Sequence, residues 1–303
     1  MLGTTFYFAW EVSLIVFLQT HLIQFAPIIT PLSYLGDEYV IIFLIALLYF
    51  CYDKEAGKSL FLVLSLGFLV NSIAKNLVLR RRPYFDNKSI KCIQPAESDY
   101  AANDIIGQGF SFPSLHGTDI TITMGFFSHY IRKNWVYVLS IILIFLVSLS
   151  RIFVGVHYPT DLLGGIGIGI AILVVFYILK SKIKNQNIIY LIFLIVAILG
   201  LFLCKSSDYF RSLGIIVGVV AGFMIEENYV NFNNTRNILN AIIRLIVGLV
   251  IFIGMLSILK LIFPSGTDLT ALAFRGLRYT ITLIVVLGFY PMLFKKFDKY
   301  FKE

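Results

Sequence analysis

Ten apolar stretches, most of them close to twenty residues long, leave this chain few ways to fold. They run at roughly 6–30, 37–52, 58–80, 114–131, 134–153, 158–180, 187–204, 211–226, 237–263 and 276–294. About 20 mostly apolar residues in a helix cross the ~30 Å hydrocarbon layer, so the predicted fold is an all-α, polytopic membrane helix bundle. Composition agrees, with hydrophobic residues at 58% and charged residues at 14%, where a soluble domain is nearer a quarter charged. Mean hydropathy is +0.86. The first stretch is the least uniform, because it carries Glu11, Gln19, His21 and Gln24. Such a segment is also compatible with lying along the interface.

The net charge of +8 comes from 25 Lys+Arg against 17 Asp+Glu. These bases sit in short loops between apolar runs, which argues against nucleic acid and for anionic membrane lipids as partners. If all ten stretches cross, Lys54, Lys58, Arg132, Lys133, Lys180, Lys182, Lys184, Arg236, Lys295, Lys296, Lys299 and Lys302 share one side. That bias makes this side cytoplasmic. The long loop at 83–113 then faces outward. Richness in Ile, Phe, Asn and Lys points to a bacterial cytoplasmic membrane. No cleavable signal peptide is evident. Cys51, Cys92 and Cys204 have no metal-ligand spacing, and no disulfide is expected.

Three polar clusters fall on the outward side. Lys75 and Arg82 are seven residues apart at the end of the third stretch, so they share a helix face ~10 Å apart along the axis, and Pro83 stops the helix. Arg80 and Arg81 fit a basic run snorkelling at a membrane edge. Lys75, a turn deeper among apolar neighbours, fits it poorly. The second cluster, Pro113-Ser114-Leu115-His116, opens the fourth stretch. Ser114 there suits an N-cap, and the helix N-terminus suits an anion. The third is Ser150-Arg151 followed by His157, Tyr158, Pro159 and Asp161, between the fifth and sixth stretches. Ionisable groups at a membrane edge are costly and read as functional. A carboxylate at Asp161 can accept from one nitrogen of His157 and sharpen the other as a nucleophile.

Taken together, Lys75 with six residues to Arg82-Pro83, then Pro113-Ser114-Leu115-His116, then Ser150-Arg151 with five residues to His157 and three more to Asp161, resemble the phosphatidic acid phosphatase type 2 superfamily. That family also includes glucose-6-phosphatase and the vanadium haloperoxidases. Its members carry the motifs after the third span, at the start of the fourth and between the fifth and sixth, as here. The resemblance covers about residues 1–180. It implies a six-helix catalytic core at 1–182, leaving about four additional transmembrane helices at 183–303.

By position, the resemblance implies that His157 forms a phosphohistidine, Asp161 orients it, and His116 protonates the leaving oxygen and later activates water. Lys75, Arg82 and Arg151, with Ser114 and the backbone at Leu115, would hold the phosphate. Three cations then stand where other enzymes use a metal, so neither metal nor cofactor is expected. The implied activity is a metal-independent lipid phosphate phosphatase acting on a lipid mono- or diphosphate. Leu115 stands where the family carries glycine, a form that resembles some lipid phosphotransferases. Transfer to another lipid is therefore the alternative activity. A non-enzymatic transporter would need buried charge in the added segments, where only Arg244 and Lys260 stand out. Glu226 and Glu227 are expected at a solvated helix end, His21 and His129 at interfaces, and Trp10, Trp135, Tyr84 and Phe85 in an aromatic belt.

Overall fold

The computed structural model describes residues 3–97, 100–264, 266 and 268–294. Lys295, Lys296, Lys299 and Lys302, counted above for orientation, lie outside the described residues. Each of the ten apolar stretches forms a helix: α1 Ala9–Leu22, α2 Glu38–Leu47, α3 Lys54–Val78, α4 Leu115–Ile131, α5 Asn134–Phe153, α6 Pro159–Lys182, α7 Gln186–Gly200, α8 Ser207–Ile225, α9 Ile238–Ile262 and α10 Leu269–Leu283. Among the described residues there is no β-strand, only an isolated bridge between Thr4 and Arg80. Among the described residues, seven helical stretches are long and apolar enough to span a membrane, including Ala9–Gly36, while Glu38–Tyr52 and Gln186–Gly200 are shorter. Helix α4 has 17 residues. The protein is an integral membrane protein.

Helix starts follow the cap residues. Ser114 Oγ accepts from Gly117 N–H at 3.3 Å, and Asn237 Oδ1 accepts from Asn240 N–H at 3.1 Å. Each side-chain oxygen satisfies a donor that has no partner within the first turn.

The chain divides into two compact units. The first comprises residues 1–40 and 73–175. Its buried core joins Ile15 and Leu18 of α1 to Phe153, Val154, Val156, Tyr158 and Leu162, around the third motif. Helix α4 packs on α5 through Ile120, Met124 and Val147, and Ser128 and Ser140 bond across that seam at 2.7 Å. It also approaches α6 closely. Thr118 Oγ1 donates to Gly165 O at 3.1 Å, and a Cβ on Gly165 would lie 2.4 Å from Ser114 O. Small residues permit this approach. It draws the second motif onto the first turn of α6, where Ser114 N–H donates to Asp161 O at 3.0 Å.

The second unit comprises residues 41–72 and 176–303. Gly214 of α8 lies against Gly276 of α10, and a Cβ on Gly214 would be 2.1 Å from Gly276 O. Thr280 Oγ1 closes that crossing on Gly214 O at 3.0 Å. Glu226 corrects an expectation, for it is fully buried rather than solvated. Its carboxylate meets Lys54 at 2.9 Å and Lys58 at 2.8 Å, while Glu227 takes Lys58 at 3.1 Å and the Tyr190 hydroxyl at 2.9 Å. A carboxylate inside a bundle needs such cations. Lys58, counted above as a loop base, is itself buried. Arg244 is buried as expected and donates to Phe50 O and Asn233 O, whereas Lys260 is exposed.

Candidate active site

All eight site residues expected from the sequence lie in the first unit. Helix α3 ends just after Lys75, and Leu79 then adopts a left-handed conformation (φ 54°) that turns the chain. Arg82 follows, 3% exposed, with Nε donating to Gln108 O at 2.9 Å and Nη1 to Val156 O at 3.1 Å. It thereby ties the long loop to the third motif. That loop is ordered from within by the buried Gln108 side chain. Its oxygen accepts from Ala96 N–H and Glu97 N–H, and its nitrogen donates to Glu97 O and Tyr100 O.

The third motif is held from another direction. Gln19 of α1 donates to Lys91 O at 2.8 Å and to Phe153 O at 2.9 Å, and accepts from Lys91 N–H at 3.0 Å. Arg151, in the last turn of α5, is 3% exposed, and its Nε has no hydrogen-bond partner among the described residues. A buried guanidinium with an unused donor fits an anion. His157 is 3% exposed, in the loop just before α6. Burial first, then the charges of Arg82, Arg151 and Lys75, hold its imidazole well below the ordinary histidine range. It is therefore neutral at pH 7, the form a nucleophile requires. His116, second residue of α4, lies in the field of the same three cations and of His157.

Asp161 is fully buried in the first turn of α6. Its Oδ2 lies 3.5 Å from His157 Nδ1, longer than a hydrogen bond. Its short contacts go elsewhere: Oδ2 accepts from Tyr158 N–H at 2.7 Å, and Oδ1 from Arg80 Nη1 at 2.7 Å. Catalytic hydrogen bonds are often long in a free enzyme and tighten on substrate. Ser114 is buried and serves as the N-cap expected of it. Leu115 is the first residue of α4 and has no positive φ. Glycine's conformational freedom is thus not needed there, and the backbone N–H groups of the first turn remain directed out of the helix.

Arg80 is another correction. It does not snorkel, being 1% exposed, with Nη2 on Glu11 Oε2 at 2.8 Å as well as Nη1 on Asp161. Glu11 is also fully buried. A lone carboxylate in the first apolar stretch was the available signal, because a buried acid demands a cation. Arg81 keeps a peripheral role, 3.2 Å from Asp86. In the long loop, burial pushes the Tyr84 phenol up to about 12 and the Cys92 thiol upward against the pull of Arg82. Cys92 is thus a neutral thiol and a poor rival nucleophile. All three cysteines are free.

Fold and site together define an integral membrane protein in which cations, two histidines and a carboxylate converge beneath a structured loop. A family profile described as "PAP2 superfamily" matches residues 56–185, and one described as "PAP2 superfamily phosphatase, transmembrane extension" matches residues 210–301. The chain thus carries a PAP2 superfamily domain and the transmembrane extension of the PAP2 phosphatases. Phosphatidylglycerophosphatase B of Bacillus subtilis is 27% identical over 174 residues, 52% of this chain and 76% of the relative. Undecaprenyl-diphosphatase of Sulfolobus acidocaldarius is 30% identical over 136 residues, 44% of this chain and 60% of the relative. Lipid A 4'-phosphatase of Bacteroides thetaiotaomicron is 34% identical over 101 residues, 33% of this chain and 43% of the relative. No solved structure gives a significant match.

Proposed function

We propose that this protein hydrolyses a lipid mono- or diphosphate through a phosphohistidine, without a metal. His157 Nε2 attacks phosphorus as the bond to the leaving oxygen breaks, and His116 gives that oxygen a proton. Water then attacks the phosphohistidine, His116 takes a proton from it, and inorganic phosphate leaves with His157 restored. Lys75, Arg82 and Arg151, with Ser114 and the backbone N–H groups at Leu115, bind the phosphoryl oxygens as charge shifts onto them.

The observation that carries this reading is the buried Arg151, whose Nε is unpaired beside a neutral His157 in the field of Arg82 and Lys75. Positive charge concentrated around an uncharged imidazole suits a nucleophile that meets an anion. The relatives named above act on phosphorylated lipids by their names, and the apolar helices around the site favour a substrate with a lipid tail. We place the enzyme in a bacterial cytoplasmic membrane with this site on the extracytoplasmic side.

Phosphate release from phosphatidate, phosphatidylglycerol phosphate, a polyprenyl diphosphate and a sphingoid phosphate, with and without EDTA, tests the proposal. Release from at least one lipid, unaffected by EDTA and abolished in His157→Ala, is expected. Inhibition by EDTA would contradict the cationic site. Turnover only when a second lipid is supplied as acceptor would make the protein a phosphotransferase.

A further inference from the structure

Arg80 lies outside the spacing that defines the first motif, yet it is the cation in closest contact with the Asp161 carboxylate. Its guanidinium is sandwiched between the Tyr158 ring, 4.1 Å from its centre, and the Phe6 ring at 4.7 Å. Each of its three nitrogens donates within the protein. Nε donates to Phe6 O at 2.9 Å, Nη1 to Thr160 Oγ1 and Asp161 Oδ1 at 2.7 Å each, and Nη2 to Glu11 Oε2 at 2.8 Å. Glu11 in turn receives Thr160 N–H at 3.1 Å and Thr160 Oγ at 2.6 Å on its other oxygen.

We propose that Arg80, clamped by Glu11, is a positioning residue that fixes the Asp161 carboxylate opposite His157. This rests on His157 being the nucleophile, as proposed above. Arg80 takes Oδ1 and the Tyr158 N–H takes Oδ2, so the carboxylate cannot rotate, and Oδ2 stays turned toward His157 Nδ1. A purely structural role fits less well. The first helix is already tied to α6 by the two bonds from Thr160 to Glu11, and the Arg80–Asp161 contact is not needed for that. Charge points the same way. One guanidinium stands against two carboxylates, all three side chains buried, so Arg80 does not by itself cancel the negative charge of the pair it bridges. When Nε2 bonds to phosphorus and Nδ1 keeps its proton, the ring becomes cationic, and that charge is where it is useful.

The test is a mutant cycle on the full-length purified protein, using whichever panel lipid the wild type turns over. Arg80→Gln should lower kcat about a hundredfold, the scale of a ~1 Å misplacement at a reacting centre. KM should stay within about threefold, as expected when only transition-state stabilisation is lost. Arg80→Lys should recover part of the loss. In an Asp161→Asn background, adding Arg80→Gln should cost nothing further, since groups acting as one unit are not additive. A loss that multiplies in that background, a KM effect alone, or wild-type kcat in Arg80→Gln overturns the inference. If Arg80→Gln does not fold, Arg80→Lys and Glu11→Gln run through the same cycle. A kcat loss in either that vanishes with Asp161→Asn supports the role, and one that persists refutes it. The control is His157→Ala. Full activity there would sink the phosphohistidine itself, whereas an inactive His157→Ala with additive Arg80 effects sinks only this inference.

Discussion

Gly155→Ala should damage both stability and catalysis, by amounts the geometry sets. Gly155 has φ +83°, a conformation that costs an L residue roughly 1–2 kcal/mol. A Cβ there would lie 2.4 Å from Lys91 O and 3.1 Å from Gln19 Nε2. Ordinary contact begins near 3.4 Å, so one side must move by about 1 Å. Lys91 is not free to yield, because Gln19 holds both its N–H and its carbonyl. Opening that bridge removes hydrogen bonds worth about 1 kcal/mol each. The alternative is a shift of residues 154–158, which carries His157 with it. Destabilisation of about 3 kcal/mol and a kcat loss of about a hundredfold are expected, the latter from the ~1 Å shift. Thermal melting in detergent and phosphate release measure the two effects. Gly167→Ala is the control, since nothing lies within 4 Å of its Cβ, and it should be neutral or slightly stabilising. A Gly155→Ala protein with wild-type melting and kcat would refute the packing described around the third motif.

Glu226→Gln should destabilise the second unit by about 3–5 kcal/mol, because Lys54 and Lys58 lose a buried partner; thermal melting checks it, and an unchanged midpoint would contradict the pairing. Since the folded state holds the pKa of His157 below its unfolded value, the unfolded chain binds more protons at acid pH. The contribution is complete above about 6.5 and is lost as pH falls below it, by up to ~1.4 kcal/mol per pH unit. Stability of the wild type relative to His157→Gln should therefore fall between about pH 6.5 and pH 5 in denaturant titrations, and a flat difference would mean a normal histidine. Leu115→Gly should leave kcat within about threefold, because the backbone there is already helical, and cost up to ~1 kcal/mol in helix stability. A large gain in hydrolysis would show that the leucine had been limiting it.

The parts of the fold and site carried by local spacing were legible in the sequence. Ten apolar runs became ten helices, Ser114 capped α4 as its position suggested, and Lys75, Arg82, His116, Arg151, His157 and Asp161 fell into one unit. What stayed hidden were pairings between distant residues. Arg80 and Glu11 are 69 positions apart, Lys54 and Glu226 are 172. A window of one or two turns reads each of them as an edge charge facing solvent. Both errors share a physical cause, since a charge in an apolar segment can be kept either by reaching water or by finding a partner, and local sequence does not distinguish them. The order of the long loop was hidden for the same reason, resting on one buried amide, Gln108, that bonds back over several residues.

The claim on which the account turns is that His157 carries phosphorus during turnover. Incubation with a lipid phosphate labelled at the transferred phosphorus, followed by an alkaline quench and digestion, measures it directly. A label that is stable in base, lost in acid, mapped to the peptide containing His157 and absent from His157→Asn is the predicted result. Phosphate release by His157→Asn at the wild-type rate, or a label that maps to another residue, would contradict it.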